Sequence, residues 1–107
     1  MTKYLVLYWS TQSARDRMAQ ATPEETKAGM DAWMRWAREA GSAVVDLGSP
    51  LGPLKGRGSE EGANQISGFS VLQAESDEAL DAVLADHPHL SFGGTILALE
   101  FLPVPGM

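Results

Sequence analysis

Both histidines of the chain stand two residues apart, as His87-Pro88-His89 within the stretch "ADHPHLSFGGTILALEFLPVPGM". Histidine titrates near neutral pH and is the commonest metal ligand, so the pair admits two readings, an acid–base group or half of a metal site. A bound metal usually takes three or four protein ligands. With no cysteine and no third histidine, Asp46, Asp86 or Glu100 would have to complete the set, and no metal is expected. Acid–base work requires a carboxylate within reach of an imidazole. Asp46 follows two valines and Glu100 interrupts an apolar run. A carboxyl group in such surroundings has a raised pKa and can serve as acid or base. His87, His89, Glu100 and Asp46 are therefore the candidate catalytic residues. Each also has a structural reading. His87 fits the last turn of a helix that Pro88 ends, where a cation suits the helix dipole. Glu100 can pair with Lys3 or an arginine across a sheet, and Asp46 can face solvent near a sheet edge.

A second group could hold a ligand. Trp33 and Trp36, with Met30 and Met34, make one helix face rich in rings and sulfur. Helical spacing of this kind predicts core, and it also fits an apolar pocket between helix and sheet. Tyr4 or Tyr8 would supply a hydroxyl to that pocket, and Tyr4, Tyr8, Trp33, Trp36 and Ser70 are the candidate ligand-binding residues. The glycine-bearing stretch "GPLKGRGSEEG" matches neither a P-loop nor a dinucleotide fingerprint, so no cofactor is expected. It reads as a connection or a lid.

The elements that must position these groups follow from local patterns. Residues 3–9, "KYLVLYW", form a strand that is apolar on both faces, with Tyr4, Val6 and Tyr8 on one side and Leu5, Leu7 and Trp9 on the other. Residues 10–21 form a polar connection of weak helical character, with room for one short turn of helix. Thr22, Pro23 and Glu25 make a capping box with proline at the first helical position, and Gly41 is the expected stop. Between them Met30, Trp33, Ala37 and Ala40 form the apolar stripe, flanked by Met34 and Trp36. A strand over 43–47, a loop over 48–64 and a strand in "QISGFSVLQAE" come next. Ile66, Gly68, Ser70 and Leu72 there alternate with Ser67, Phe69, Val71 and Gln73. Ser76 caps a second helix that Pro88 ends, and "GTILALEFL" is the last strand.

Strand, helix, strand, strand, helix, strand is the order of two split βαβ units. It predicts an α+β fold over residues 1–107, a ferredoxin-like βαββαβ sandwich with a four-stranded antiparallel sheet and two helices on one face. Two helices cover only one face, yet the first and last strands are apolar on both. The second face is expected to meet a partner chain, giving a homodimer through the sheet face, the alternative being that the long loop or the tail folds over it.

Composition narrows the partners. The 107 residues are 44% hydrophobic and 21% charged, as in ordinary single domains. Fourteen acids against eight scattered bases give a net charge of −6, which argues against nucleic acid. No run approaches a membrane span. The segment "MTKYLVLYWS" reads as a strand rather than a secretory signal, so a cytoplasmic location is expected.

Three stretches, "KYLVLY", "GFSVLQAESDEALDAVLADHP" and "GGTILALEFLPVPGM", resemble the YCII-related proteins over nearly the whole chain. The resemblance implies a small bacterial protein with a dimeric α+β barrel fold. The DGPF signature of related proteins is absent, the region reading "EEGANQISGF". Where family members carry a histidine in the first helix region, this chain has Trp33 and Trp36, and an Asp-Pro-aromatic segment becomes His87-Pro88-His89. Similar dimeric barrels include cofactor-free monooxygenases and lactone or enol isomerases. Two functions stand on this reading: a small-molecule-binding homodimer with acid–base catalysis in a cleft between helix and sheet, or a non-catalytic binding or protein-interaction module.

Overall fold

A computed structural model describes residues 1–54, 56 and 66–106. Strand β1 (Thr2–Trp9) is followed by helix α1 (Ala14–Gln20), helix α2 (Pro23–Ala40), a single 3-10 turn, and strands β2 (Val44–Pro50) and β3 (Ile66–Ala74). Helix α3 (Asp77–Leu84), the short helix α4 (Pro88–Ser91) and strand β4 (Thr95–Glu100) complete the chain. The sheet order is β2-β3-β1-β4 with every neighbouring pair antiparallel. This four-stranded α+β arrangement is compatible with the ferredoxin-like sandwich.

The alternation read in β1 and β3 sets the layers. Tyr4, Val6 and Tyr8 lie opposite Leu72, Ser70 and Gly68 in the ladder, and all six are buried. Trp36 of α2 and Leu80 of α3 pack on them in one core. Leu5, Leu7, Phe69 and Val71 point the other way and are half-buried.

Helix α2 begins where expected. The Thr22 hydroxyl accepts from the Glu25 amide at 3.1 Å, and the Glu25 carboxylate accepts from the Thr22 amide at 3.0 Å. This hydrogen bonding draws the Glu25 carboxyl below its ordinary range. Gly41 closes the helix at φ 57°. The apolar stripe is phased differently from the expected one. Trp33, Trp36, Ala37 and Ala40 turn inward, with Trp36 central, whereas Met30 is 58% and Met34 41% exposed. Residues 23–28 are exposed on every side, so the first turns of α2 overhang the core and a methionine there has nothing to pack on.

Three further expectations are corrected. The connection over 10–21 contains a seven-residue helix, capped by Ser13, whose hydroxyl accepts from the Asp16 amide. Strand β2 runs to Pro50, because Ser49 and Pro50 still pair with Phe69 and Gly68. Helix α3 starts at the Ser76 cap but ends at Leu84, and Pro88 opens α4 instead of closing α3. Most of the loop expected over 48–64, including the lid reading, falls on 55 and 57–65, outside the described residues.

Candidate functional site

Proline at the first position of a helix loses nothing, because its missing N–H would be an orphan donor there. Pro88 uses this, and His87 before it is the N-cap of α4. The His87 Nδ1 accepts the His89 backbone N–H at 3.0 Å, a service usually given by a serine or aspartate oxygen. An accepting Nδ1 places the ring proton on Nε2. The side chain is fully buried, and its Nε2 has no hydrogen-bond partner among the described residues.

What surrounds the ring is aromatic. The His87 centroid lies 4.3 Å from Trp36, 4.5 Å from Trp33 and 4.8 Å from Tyr8. Burial, and then the neighbouring His89, push the His87 imidazolium down to about 4. The capping role explains why the neutral form suits this place. A proton on Nδ1 would remove the acceptor and set a cation at the positive end of a helix. The expected position in the last turn of α3, favourable to a cation, is thus replaced by the opposite one.

His89 is also buried. Its Nε2–H donates to the Trp9 carbonyl at 2.7 Å, tying α4 to the end of β1. Burial lowers its pKa, against an opposing pull from that carbonyl. Gly94 lies against the ring so closely that a Cβ there would stand 2.2–2.6 Å from three of its atoms. Arg17 of α1 donates to the Ser10 hydroxyl just beyond β1.

On the other side of Tyr8 a hydroxyl relay crosses three strands. The Tyr8 hydroxyl donates to Ser70 Oγ at 2.7 Å, and Ser70 donates to the Leu47 carbonyl at 2.6 Å. Burial pushes the Tyr8 phenol up to about 12. Tyr4 lies four residues away on the same face, and its hydroxyl donates to Asp77 Oδ1 at 2.8 Å. That hydrogen bond to a carboxylate is the main cause of its raised pKa. Trp36 Nε1 donates to the Val83 carbonyl at 2.9 Å.

Of the five residues expected to bind a ligand, Tyr8, Trp33 and Trp36 stand around His87, Ser70 joins them only through the Tyr8 hydroxyl, and Tyr4 stands apart with Asp77. Their hydroxyls are satisfied within the fold, and rings fill the space between α2 and the sheet. The four expected catalytic residues divide. His87 and His89 belong to this cluster, while Asp46 and Glu100 are exposed. The Asp46 Oδ1 accepts the Gly48 amide at 2.8 Å in a local turn. Glu100 pairs with Tyr4 in the ladder, four residues from the Ile96 that pairs with Tyr8, or roughly 13 Å along the strand. No carboxylate hydrogen-bonds either imidazole among the described residues. Lys27–Asp31 is the one ion pair among them, and no described cation pairs with Glu100 across the sheet.

Sequence reasoning missed Asp77 as the partner of Tyr4. It also missed Arg17 and the aromatic surroundings of His87. The signal for the last was present, since His-Pro opens a helix as readily as it closes one. Among the described residues no three acidic or histidine side chains gather as a metal site, and no helix is long and apolar enough to cross a membrane. Against family models, curated proteins and solved structures alike, the chain finds no match.

Proposed function

We propose that the chain is a self-associating, non-catalytic binding module of the YCII-related kind, whose copies meet as homodimers through the open face of the sheet. The observation that carries this reading is the apolar character of that face. Leu5 and Leu7 of β1, Phe69 and Val71 of β3, and Leu97 and Leu99 of β4 share it. Phe101 continues it beyond β4 and is 53% exposed. Neither α2 nor α3 lies there, because both pack on Tyr4, Val6 and Leu72 on the opposite face. A contiguous apolar surface on a small acidic domain marks an interface.

The non-catalytic reading is preferred to acid–base chemistry because both imidazoles serve the backbone: His87 caps α4 and His89 holds Trp9. Asp46 and Glu100, the acids such chemistry would recruit, lie at the surface away from them. The proposed task is recognition, with the aromatic cluster keeping the sheet and helices in one rigid shape.

Light scattering on the wild type and on Val71→Lys tests this. Val71 sits on an inner strand, half-exposed and facing away from the helices. The expected result is a wild-type mass that is a multiple of the 11.5 kDa chain and is halved in Val71→Lys. An unchanged mass in a folded Val71→Lys variant removes the face from the reading.

A further inference from the structure

The two edges of the sheet are unlike. The β2 edge carries two register shifts, Gly48 at φ 83° and Pro50, devices that keep an edge from pairing. The β4 edge has none of them. Its ladder with β1 is unbroken from Thr95 to Glu100, without a bulge, a proline or a lysine, and Glu100 is its only charge. Leu97 is 41% and Leu99 44% exposed. A regular, apolar and unguarded edge is a template for another strand.

The free hydrogen-bonding groups can be assigned. The Phe101 N–H donates to the Lys3 carbonyl at 3.2 Å. In an antiparallel ladder alternate residues turn their bonds to the same neighbour. Leu97, Leu99 and Phe101 therefore bond to β1, and Ile96, Ala98 and Glu100 turn theirs outward.

We infer that β4 pairs antiparallel with β4 of a second copy, about a two-fold axis through Ala98, joining two sheets into one of eight strands. The strand is complementary to itself in this register. On the open face Leu97 meets Leu99 of the other copy, and Thr95 meets Phe101. On the helix face Ala98 meets its own equivalent, small against small, and Glu100 meets Ile96. No like charges are opposed, which matters because directly opposed like charges destabilise a pair. Two shallow grooves lie beside the start of β4. One of about 360 Å³ is bordered by Trp9, Gly93 and Leu97, the other of about 540 Å³ by Leu84, Leu90 and Ala98. Antiparallel pairing carries the segment that follows β4 in the second copy, with exposed Phe101 and Leu102, past this same end of the strand.

The contact is distinct from the open face, and the two together assemble four chains. Ala98→Pro tests it, because the N–H lost is one turned outward, so the bonds to β1 survive. Light scattering is expected to give four chains for the wild type and two for Ala98→Pro, with the far-ultraviolet dichroism retained. Should the proline variant not fold, Ala98→Lys and Ala98→Glu replace it. Each alone is expected to give two chains, and an equal mixture four, because residue 98 faces itself across the axis. An Ala98→Pro mass equal to the wild type's, or charge variants that the mixture does not rescue, overturns the edge contact and leaves the open-face reading intact. If Val71→Lys changes nothing while Ala98→Pro halves the mass, the open-face reading fails and the edge contact stands. A wild-type mass of one chain overturns both.

Discussion

Acid is the perturbation that interrogates His87 most directly. An unfolded histidine has a pKa near 6.5, whereas in the fold this one lies at about 4. A folded value depressed below the unfolded one means that the native state holds the neutral ring. The stability so gained is complete above pH 6.5, declines as pH falls toward 4, and is gone below it. Two and a half pK units correspond to about 3 kcal/mol, a large share of the ~5–15 kcal/mol that holds a typical domain together. The control is His87→Asn, whose side-chain oxygen can still accept the His89 amide but does not titrate. The variant loses ring contacts with Trp33, Trp36 and Tyr8 equally at every pH, so its cost is a constant offset. Carboxylates titrate alike in both proteins. Urea unfolding at fixed protein concentration between pH 7 and pH 4, followed by tryptophan fluorescence, reads the difference. The wild-type midpoint should lose ~1–3 M urea more than the variant's over this interval, from the usual urea dependence of small domains. Parallel pH profiles for the two proteins would refute the assignment of His87 as a neutral buried cap.

Four further outcomes follow from the geometry. Gly94→Ala, driven into the His89 ring, should lower the midpoint of thermal unfolding by several degrees, on the order of 1–3 kcal/mol for an overpacked site. Gly29→Ala in the middle of α2, with nothing within 4 Å of the new methyl, should raise it by roughly 0.5–1 kcal/mol. Ser70→Ala should cost about 1–3 kcal/mol in urea unfolding, because the Leu47 carbonyl and the Tyr8 hydroxyl both lose their buried partner. Tyr8→Phe should cost less, since Ser70 keeps Leu47.

What could be read from the sequence was local. The Thr22–Glu25 box, Pro23 and Gly41 act within a few residues of one another, and α2 starts and stops where they say. The two-residue alternation of β3 puts Ser70 and Leu72 on one face because a strand has no other way to turn, and packing of the helices makes that face the buried one. Trp36 lies on the flank of the stripe that spacing alone defines, because a repeat weighs residues 23–31 the same as the rest of the helix. How far the helix extends beyond its sheet is a tertiary fact that no spacing contains. The setting of His87 escapes a local reading for a similar reason. Pro88 marks a helix boundary without saying which side the helix lies on, and the rings that enclose His87 come from residues 8, 33 and 36. Glu100 looked buried in an apolar run, but its strand is at the sheet edge, where the helix layer no longer covers it.

The central place of β1 has a consequence for the chain as it is made. This strand, apolar on both faces, lies between β3 and β4 and is synthesised before either neighbour. At usual elongation rates of about 5–20 residues per second, β3 is complete on the order of 3–15 s after β1. During that interval "KYLVLYW" has a helix to lean on but no strand to pair with. The newborn chain thus carries its stickiest segment unpaired for seconds, and its yield in the cell depends on how well that segment is shielded until Ala74 has emerged.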